Sequence, residues 1–266
     1  GETGDVTVDT DHFSLYDLRL LTFQDLSGYV GDAFSEGGNF KLTGDAWTAD
    51  NGSSANLSIT QNTTIDLNGH TLTISKAGQY FDVHEGAKLT IMDSSDSIQD
   101  TESTVTGNLY GNKAELENDT LTYYITESTP TGTGTTETLV KHEVPLTGAG
   151  KILCKEASAQ AILVKGALEL QSGVLQNTGG KHIVLVDRGT LDVNGGYIVG
   201  GGSDGTPGGG IYVDNGTVNI QGGVIAANRG SSGGGIFFQN GTLNISGGAV
   251  TGNWVNSGHD LSLIHI

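Results

Sequence analysis

The chain is poor in cysteine, proline, basic residues and long apolar runs. Its one cysteine, Cys154, excludes an internal disulfide framework. In Lys151-Ile-Leu-Cys it alternates in phase with Ile152, which reads as a buried apolar residue rather than a nucleophile. Three prolines stand against 43 glycines with no collagen period, so the glycine belongs to tight turns between short strands. Twelve Lys and Arg face 30 Asp and Glu, a net charge of −18. Such a surface repels phosphate backbones and anionic lipid, which excludes nucleic-acid partners and membrane-surface roles. No apolar run approaches transmembrane length, so no membrane insertion is expected. Gly1-Glu-Thr-Gly, with no initiator Met and no visible signal peptide, reads as a vector scar covering residues 1–4. The other end, Leu261-Ser-Leu-Ile-His-Ile, stops in a strand-like run without a polar cap, as expected of a piece of a longer protein.

What is present is a repeat. Gly166-Ala-Leu-Glu-Leu-Gln-Ser-Gly-Val-Leu, Gly189-Thr-Leu-Asp-Val-Asn-Gly-Gly-Tyr-Ile, Gly216-Thr-Val-Asn-Ile-Gln-Gly-Gly-Val-Ile and Gly241-Thr-Leu-Asn-Ile-Ser-Gly-Gly-Ala-Val start 23, 27 and 25 residues apart. Alternating apolar and polar positions followed by glycine pairs, at this period, are one coil of a parallel β-solenoid. Stacking the coils predicts inward columns Leu168/Leu191/Val218/Leu243, Leu170/Val193/Ile220/Ile245 and Leu175/Ile198/Ile225/Val250. A further strand adds Val184/Ile211/Ile236 and Val186/Val213/Phe238, while Glu169/Asp192/Asn219/Asn244 point outward. The glycines at 179–180, 208–210 and 233–235 mark corners.

The N-terminal part differs. Phe13, Leu15, Leu18, Leu21 and Leu26 recur at helical spacing, which predicts a capping helix within a capping segment at 5–38. The solenoid then occupies 39–266, with strands at Phe40-Lys-Leu, Leu57-Ser-Ile, Thr64-Ile-Asp-Leu and Leu89-Thr-Ile. Residues 94–148 break the period. Inside them Leu121-Thr-Tyr-Tyr-Ile-Thr and Glu137-Thr-Leu-Val-Lys-His-Glu-Val flank a Thr/Gly/Pro loop and read as an inserted β-hairpin.

The run Ile211-Tyr-Val-Asp-Asn-Gly-Thr-Val-Asn-Ile-Gln-Gly-Gly-Val-Ile, with Gly233-Gly-Gly-Ile-Phe-Phe-Gln-Asn, resembles the coils of pectate-lyase-like β-helix surface proteins and adhesins of gut bacteria. It is similar also to the repeats of chlamydial polymorphic membrane proteins. Leu42-Thr-Gly-Asp and Ile65-Asp-Leu-Asn-Gly-His-Thr-Leu resemble their entry coils. The resemblance covers about 40–93 and 151–258; the insertion matches nothing in it. It implies an all-β, single-stranded, right-handed parallel β-helix, at roughly seven or eight coils. It also implies an extracellular place on the bacterial cell surface.

Residue chemistry leaves several functions open. Asp93, Asp96 and Asp100 are a weak candidate for calcium beside the plainer reading of a solvated acidic loop; no other cofactor and no metal site is expected, since the seven histidines show no ligand spacing. Asp187-Arg188 sits at a coil corner and reads as structural, and Gly258-His-Asp is a poor match to a polygalacturonase-type site, so no catalytic residue is named. Tyr123, Tyr124, Lys141 and His142 on the hairpin are candidates for contact with a partner. A second candidate surface is the column Leu163, Leu185, Tyr212 and Phe237, outward by alternation yet apolar. Either the hairpin covers it or it is a docking strip. The expectation is a non-enzymatic, adhesin-type binding module that presents a hairpin and a solenoid face to a host cell-surface protein or glycan. A polysaccharide lyase or hydrolase of the β-helix class and a structural stalk are the alternatives.

Overall fold

The computed structural model describes residues 22–31, 33–48, 56–95, 98–109, 112–132, 134–155 and 159–255. Its main body is a parallel β-solenoid of about eight turns. Each turn visits three faces. The first holds Thr63–Asp66, Lys88–Met92, Ala167–Leu170 and Thr242–Ile245, together with the second halves of the bent strands Val184–Val193 and Ile211–Ile220. The second holds Thr71–Ile74, Lys151–Cys154, Val174–Asn177, Tyr197–Val199, Val224–Ala226 and Ala249–Thr251. The third holds Leu57–Ile59, Phe81–Val83, Ile162–Val164, the first halves of the two bent strands, and Ile236–Phe238.

Every column read from the repeat is present in parallel register, but Phe238, expected to point inward over Val213, is exposed at 38 % in the last described turn, which has no further turn stacked on it among the described residues. Leu191 lies beside Val218 and Val193 beside Ile220. The columns extend below the regular repeats: Phe40, Ile65, Ile91 and Leu170 stack in sequence. Most of these side chains are fully buried. Each contributes roughly 1.5–3 kcal/mol of hydrophobic stabilisation, so the stack is the principal driving force of the fold. Cys154 is part of it, at 1 % exposure. Corners are tight: at Gly223 (φ 75°) a Cβ would lie 2.7 Å from the carbonyl oxygens of Gly195 and Gly196 in the turn below. Where the second face ends, buried asparagines satisfy the exposed backbone. Asn228 Nδ2 donates to the Ile198 carbonyl and Asn253 Nδ2 to that of Ile225, each at 2.8 Å.

The expected N-terminal helix is corrected in its described part. Phe13, Leu15, Leu18 and Leu21 lie outside the described residues, but Gln24–Tyr29 is a β-strand, paired in parallel with Gly38–Trp47 through Gln24–Phe40 and Leu26–Leu42. No helix occurs among the described residues. Leu26 satisfied a helical spacing, yet Ser27 and Gly28 disfavour a helix, and the open edge of Gly38–Trp47 offers a ladder of backbone partners. A turn does the plugging between these two strands. Phe34 is 1 % exposed and packs edge-on to Phe40 (centroids 5.2 Å) and against Phe81 (5.5 Å).

The insertion replaces one corner. In later turns the first and second faces are joined by three residues, such as Gln171-Ser-Gly173 between Ala167–Leu170 and Val174–Asn177. Between Lys88–Met92 and Lys151–Cys154 the same corner holds the whole period break. It contains more than a hairpin. Thr101–Val105, Gly134–Pro145, Thr120–Thr131 and Glu115–Glu117 form a four-stranded antiparallel sheet in that spatial order. The two-residue turn from Glu117 to Thr120 uses Asn118 (φ 50°) and Asp119 (φ 58°), both left-handed, as a tight hairpin requires.

Candidate functional site

The insertion sheet lies flat on the outer side of the second face. Leu121, Tyr123, Val144 and Leu146 pack against Val174, Val199 and Ala226, with Tyr197 and Val224 at the margin. These solenoid positions point away from the solenoid core, so the second-face strands are apolar on both sides. Continuous runs such as Tyr197-Ile-Val and Val224-Ile-Ala are the sequence sign of a strand covered twice. Two further ties hold the sheet down: Thr251 Oγ1 donates to the Tyr124 carbonyl at 2.8 Å, and Lys151 Nζ pairs with Asp119 Oδ1 at 3.0 Å.

The hairpin candidates separate by face. Tyr123 and His142 are direct cross-strand partners and both turn inward, 3 % and 5 % exposed. Their rings stack 4.5 Å apart at 4°. Tyr124 and Lys141 are the next pair, on the opposite side of the sheet and half-buried. Lys141 Nζ pairs with Glu143 Oε1 at 2.9 Å. The exposed part of the hairpin is its distal half: every described residue from Glu127 to Glu137 is solvent-exposed, while the ladder continues in register to Thr131–Gly134. The root is thus anchored and the arm stands free of the solenoid.

Around His142 the insertion gathers titratable groups that no linear spacing announces. Glu102 is the cross-strand partner of His142 on the neighbouring strand, and Asp100 precedes it by two residues. Asp100 Oδ2 accepts from Tyr123 Oη (3.2 Å) and lies 2.9 Å from His142 Nδ1; Glu102 Oε1 lies 3.7 Å from the same nitrogen. One ligating atom from each of Asp100, Glu102 and His142 falls within 4.8 Å of the others, close enough to share one divalent ion. The Asp100–His142 contact uses the same atoms. Burial, and next the Asp100 charge, raise the Tyr123 phenol far above its ordinary value; the same two causes push Tyr197 up to about 12. Both phenols are held neutral, and that of Tyr123 donates to Asp100.

The aspartates read as a calcium candidate divide. Asp96 lies outside the described residues, Asp100 belongs to the His142 cluster, and Asp93 is a backbone brace. Its Oδ1 accepts from the amides of Gly69 (2.8 Å) and Ser95 (3.1 Å), and its Oδ2 from that of Gly150 (2.7 Å).

The second candidate surface stacks as the repeat predicts, with Leu163, Leu185, Tyr212 and Phe237 in one outward column of the third face. Leu163 is 8 % exposed and the other three are half-buried. Tyr212 lies between His182 (5.4 Å) and Phe237 (5.2 Å), and its hydroxyl donates to Gln239 Oε1 at 2.7 Å. The hairpin packs on the second face and leaves this column to its own neighbours. Comparison with protein-family models, with curated proteins and with solved structures gives no match.

Proposed function

We propose that the chain is the binding module of an extracellular, adhesin-type bacterial surface protein. Its right-handed β-helix carries the hairpin arm to a protein on a host cell. The observation that carries this reading is the division of the hairpin into a root packed on the second face and an exposed arm from Glu127 to Glu137. A loop built only to cover apolar surface would end where that surface ends. The arm continues with a full backbone ladder and a surface of threonine hydroxyls between Glu127, Glu137 and Pro130. A pre-ordered arm pays little conformational entropy on docking. Its two carboxylates, on a chain of net charge −18, favour a partner with a basic surface and speed the encounter with it.

The test replaces 127–137 by Asn-Gly, joining Thr126 to Thr138 and keeping the root. Purified host ectodomains are screened for binding to both forms. The expected result is at least one ectodomain, basic at its contact surface, bound by the parent and lost by the variant, with equal melting of the two. Binding that survives the replacement, or no bound ectodomain, overturns the reading.

A further inference from the structure

Beside the edge strand of the insertion, Glu115–Glu117, lies a cavity of about 630 Å³, on the opposite side of the sheet from the His142 cluster. This is within the range of ligand pockets, roughly 300–1,000 Å³. Its floor is the end of the second face, with Gln176, Thr178, Gly200 and Ala227; one wall is the chain from Lys113 to Asp119, and Trp254 closes the far side.

Gln176 carries the argument. It is 9 % exposed, and among the described residues no protein group hydrogen-bonds to its side-chain amide. The amide is not cut off from solvent: it opens into the cavity, where a ligand hydroxyl can take the place of water. The next two turns of the second face have an apolar residue at the equivalent place, Val199 and Ala226, and the turn after them has Thr251. An apolar residue would have packed as well under the insertion, so the amide has a use other than packing. Space is kept for it: Gly200 lacks a side chain where a Cβ would come within 3.4 Å of Gln176 Nε2 and 3.0 Å of Leu116 Cδ2.

We propose that this cavity binds a neutral saccharide of one or two rings. The Gln176 amide offers a donor and an acceptor at one point, which matches a ring hydroxyl or an acetamido group. Glu115–Glu117 pairs with the hairpin on one side only, so its other edge presents backbone groups for further hydroxyls. Leu116, Ala227 and the edge of the Trp254 ring supply the apolar contact that the C–H face of a sugar needs. The nearby charges discriminate. Lys113 and Arg229 both lie over the Trp254 ring, at 4.4 and 4.0 Å, and Lys151 pairs with Asp119. The exposed carboxylates of Glu115 and Glu117 at the rim repel acidic sugars. The site is independent of the hairpin arm, so either assignment can fail without the other.

The experiment follows Trp254 fluorescence in a Trp47→Phe background. Maltose, cellobiose, lactose and chitobiose are the neutral probes, and digalacturonate is the acidic one. At least one neutral disaccharide saturates the signal with a Kd below about 10 mM, and digalacturonate does not. Gln176→Ala weakens that binding about tenfold or more, and Gln176→Met, which keeps the volume, weakens it as much with unchanged melting. Deleting the arm leaves it intact. Failure of all four neutral probes to saturate, or a Gln176→Met protein that binds like the parent, overturns the proposal.

Discussion

Asp93 Oδ2 accepts the amide of Gly150 at 2.7 Å across 57 positions of sequence. These two residues are the two sides of the neck from which the insertion leaves the solenoid. The same carboxylate takes the Gly69 amide of the turn below, so one side chain closes the neck and joins it to the stack. Asp93→Ala is expected to cost about 2–4 kcal/mol in urea denaturation, because several amides lose a charged acceptor. Asp93→Asn keeps one carbonyl acceptor and is expected to lose less. Equal stability of Asp93→Ala and the parent would show that the neck is held by the packing of Leu146 and Ala149 instead.

Inside and outside of the first face can be separated at adjacent residues. Ile220 is fully buried in an apolar column. Ile220→Asp should cost several kcal/mol and abolish cooperative unfolding of the last turns. Asn219 faces outward but belongs to a ladder: its Nδ2 donates to Asp192 Oδ1 at 2.7 Å and its Oδ1 accepts from Asn244 at 2.8 Å. Asn219→Asp sets two carboxylates together, and is expected to cost about 0.5–1 kcal/mol, relieved by salt. Comparable thermal midpoints for the two variants would contradict the observed phase.

The acid side of the stability profile is expected to carry a histidine signature. Burial, and then the charge of Lys181, lower the His182 pKa to about 4. The unfolded chain protonates near 6.5 while the folded one stays neutral. Stability therefore falls as pH drops from about 6.5 to 4, by at most about 1.4 kcal/mol per pH unit. His182→Phe keeps a ring against Tyr212 and should flatten the melting temperature over that window. An unchanged slope would assign the acid sensitivity to other groups.

At alkaline pH the sign reverses. Tyr123 and Tyr197 resist ionisation when folded, whereas the unfolded chain ionises near 10. Stability is expected to decline above pH 10. In a spectrophotometric titration, Tyr197→Phe should remove a step near 12, and Tyr123→Phe one that comes only with unfolding. Ionisation of Tyr123 before unfolding would mean that the insertion lifts off the second face.

The repeat alone determined the solenoid, its inward columns and its parallel register. In such a stack each side chain lies over its counterpart one period away, so one-dimensional alignment is already three-dimensional contact: Leu191 over Leu168, Val218 over Leu191. The hairpin was legible for a similar reason, since its strands are neighbours in sequence. What the insertion rests on was not. Tyr123 and Tyr197 come together only because a sheet between residues 101 and 145 folds back over turns made later in the chain. The doubly apolar strands at Tyr197-Ile-Val and Val224-Ile-Ala were a readable sign of a covered face, but they do not say what covers it. The His142 cluster spans 42 positions, and the Gln176 cavity joins residues from five separate segments. Neither has a period or a motif: the first is made by strand pairing inside the insertion sheet, and the second where that sheet meets the solenoid. At the N-terminus, helical spacing lost to the open edge of Gly38–Trp47. Local periodicity ranks conformations of an isolated segment, whereas only tertiary structure supplies the neighbouring strand whose backbone hydrogen bonds decide between them.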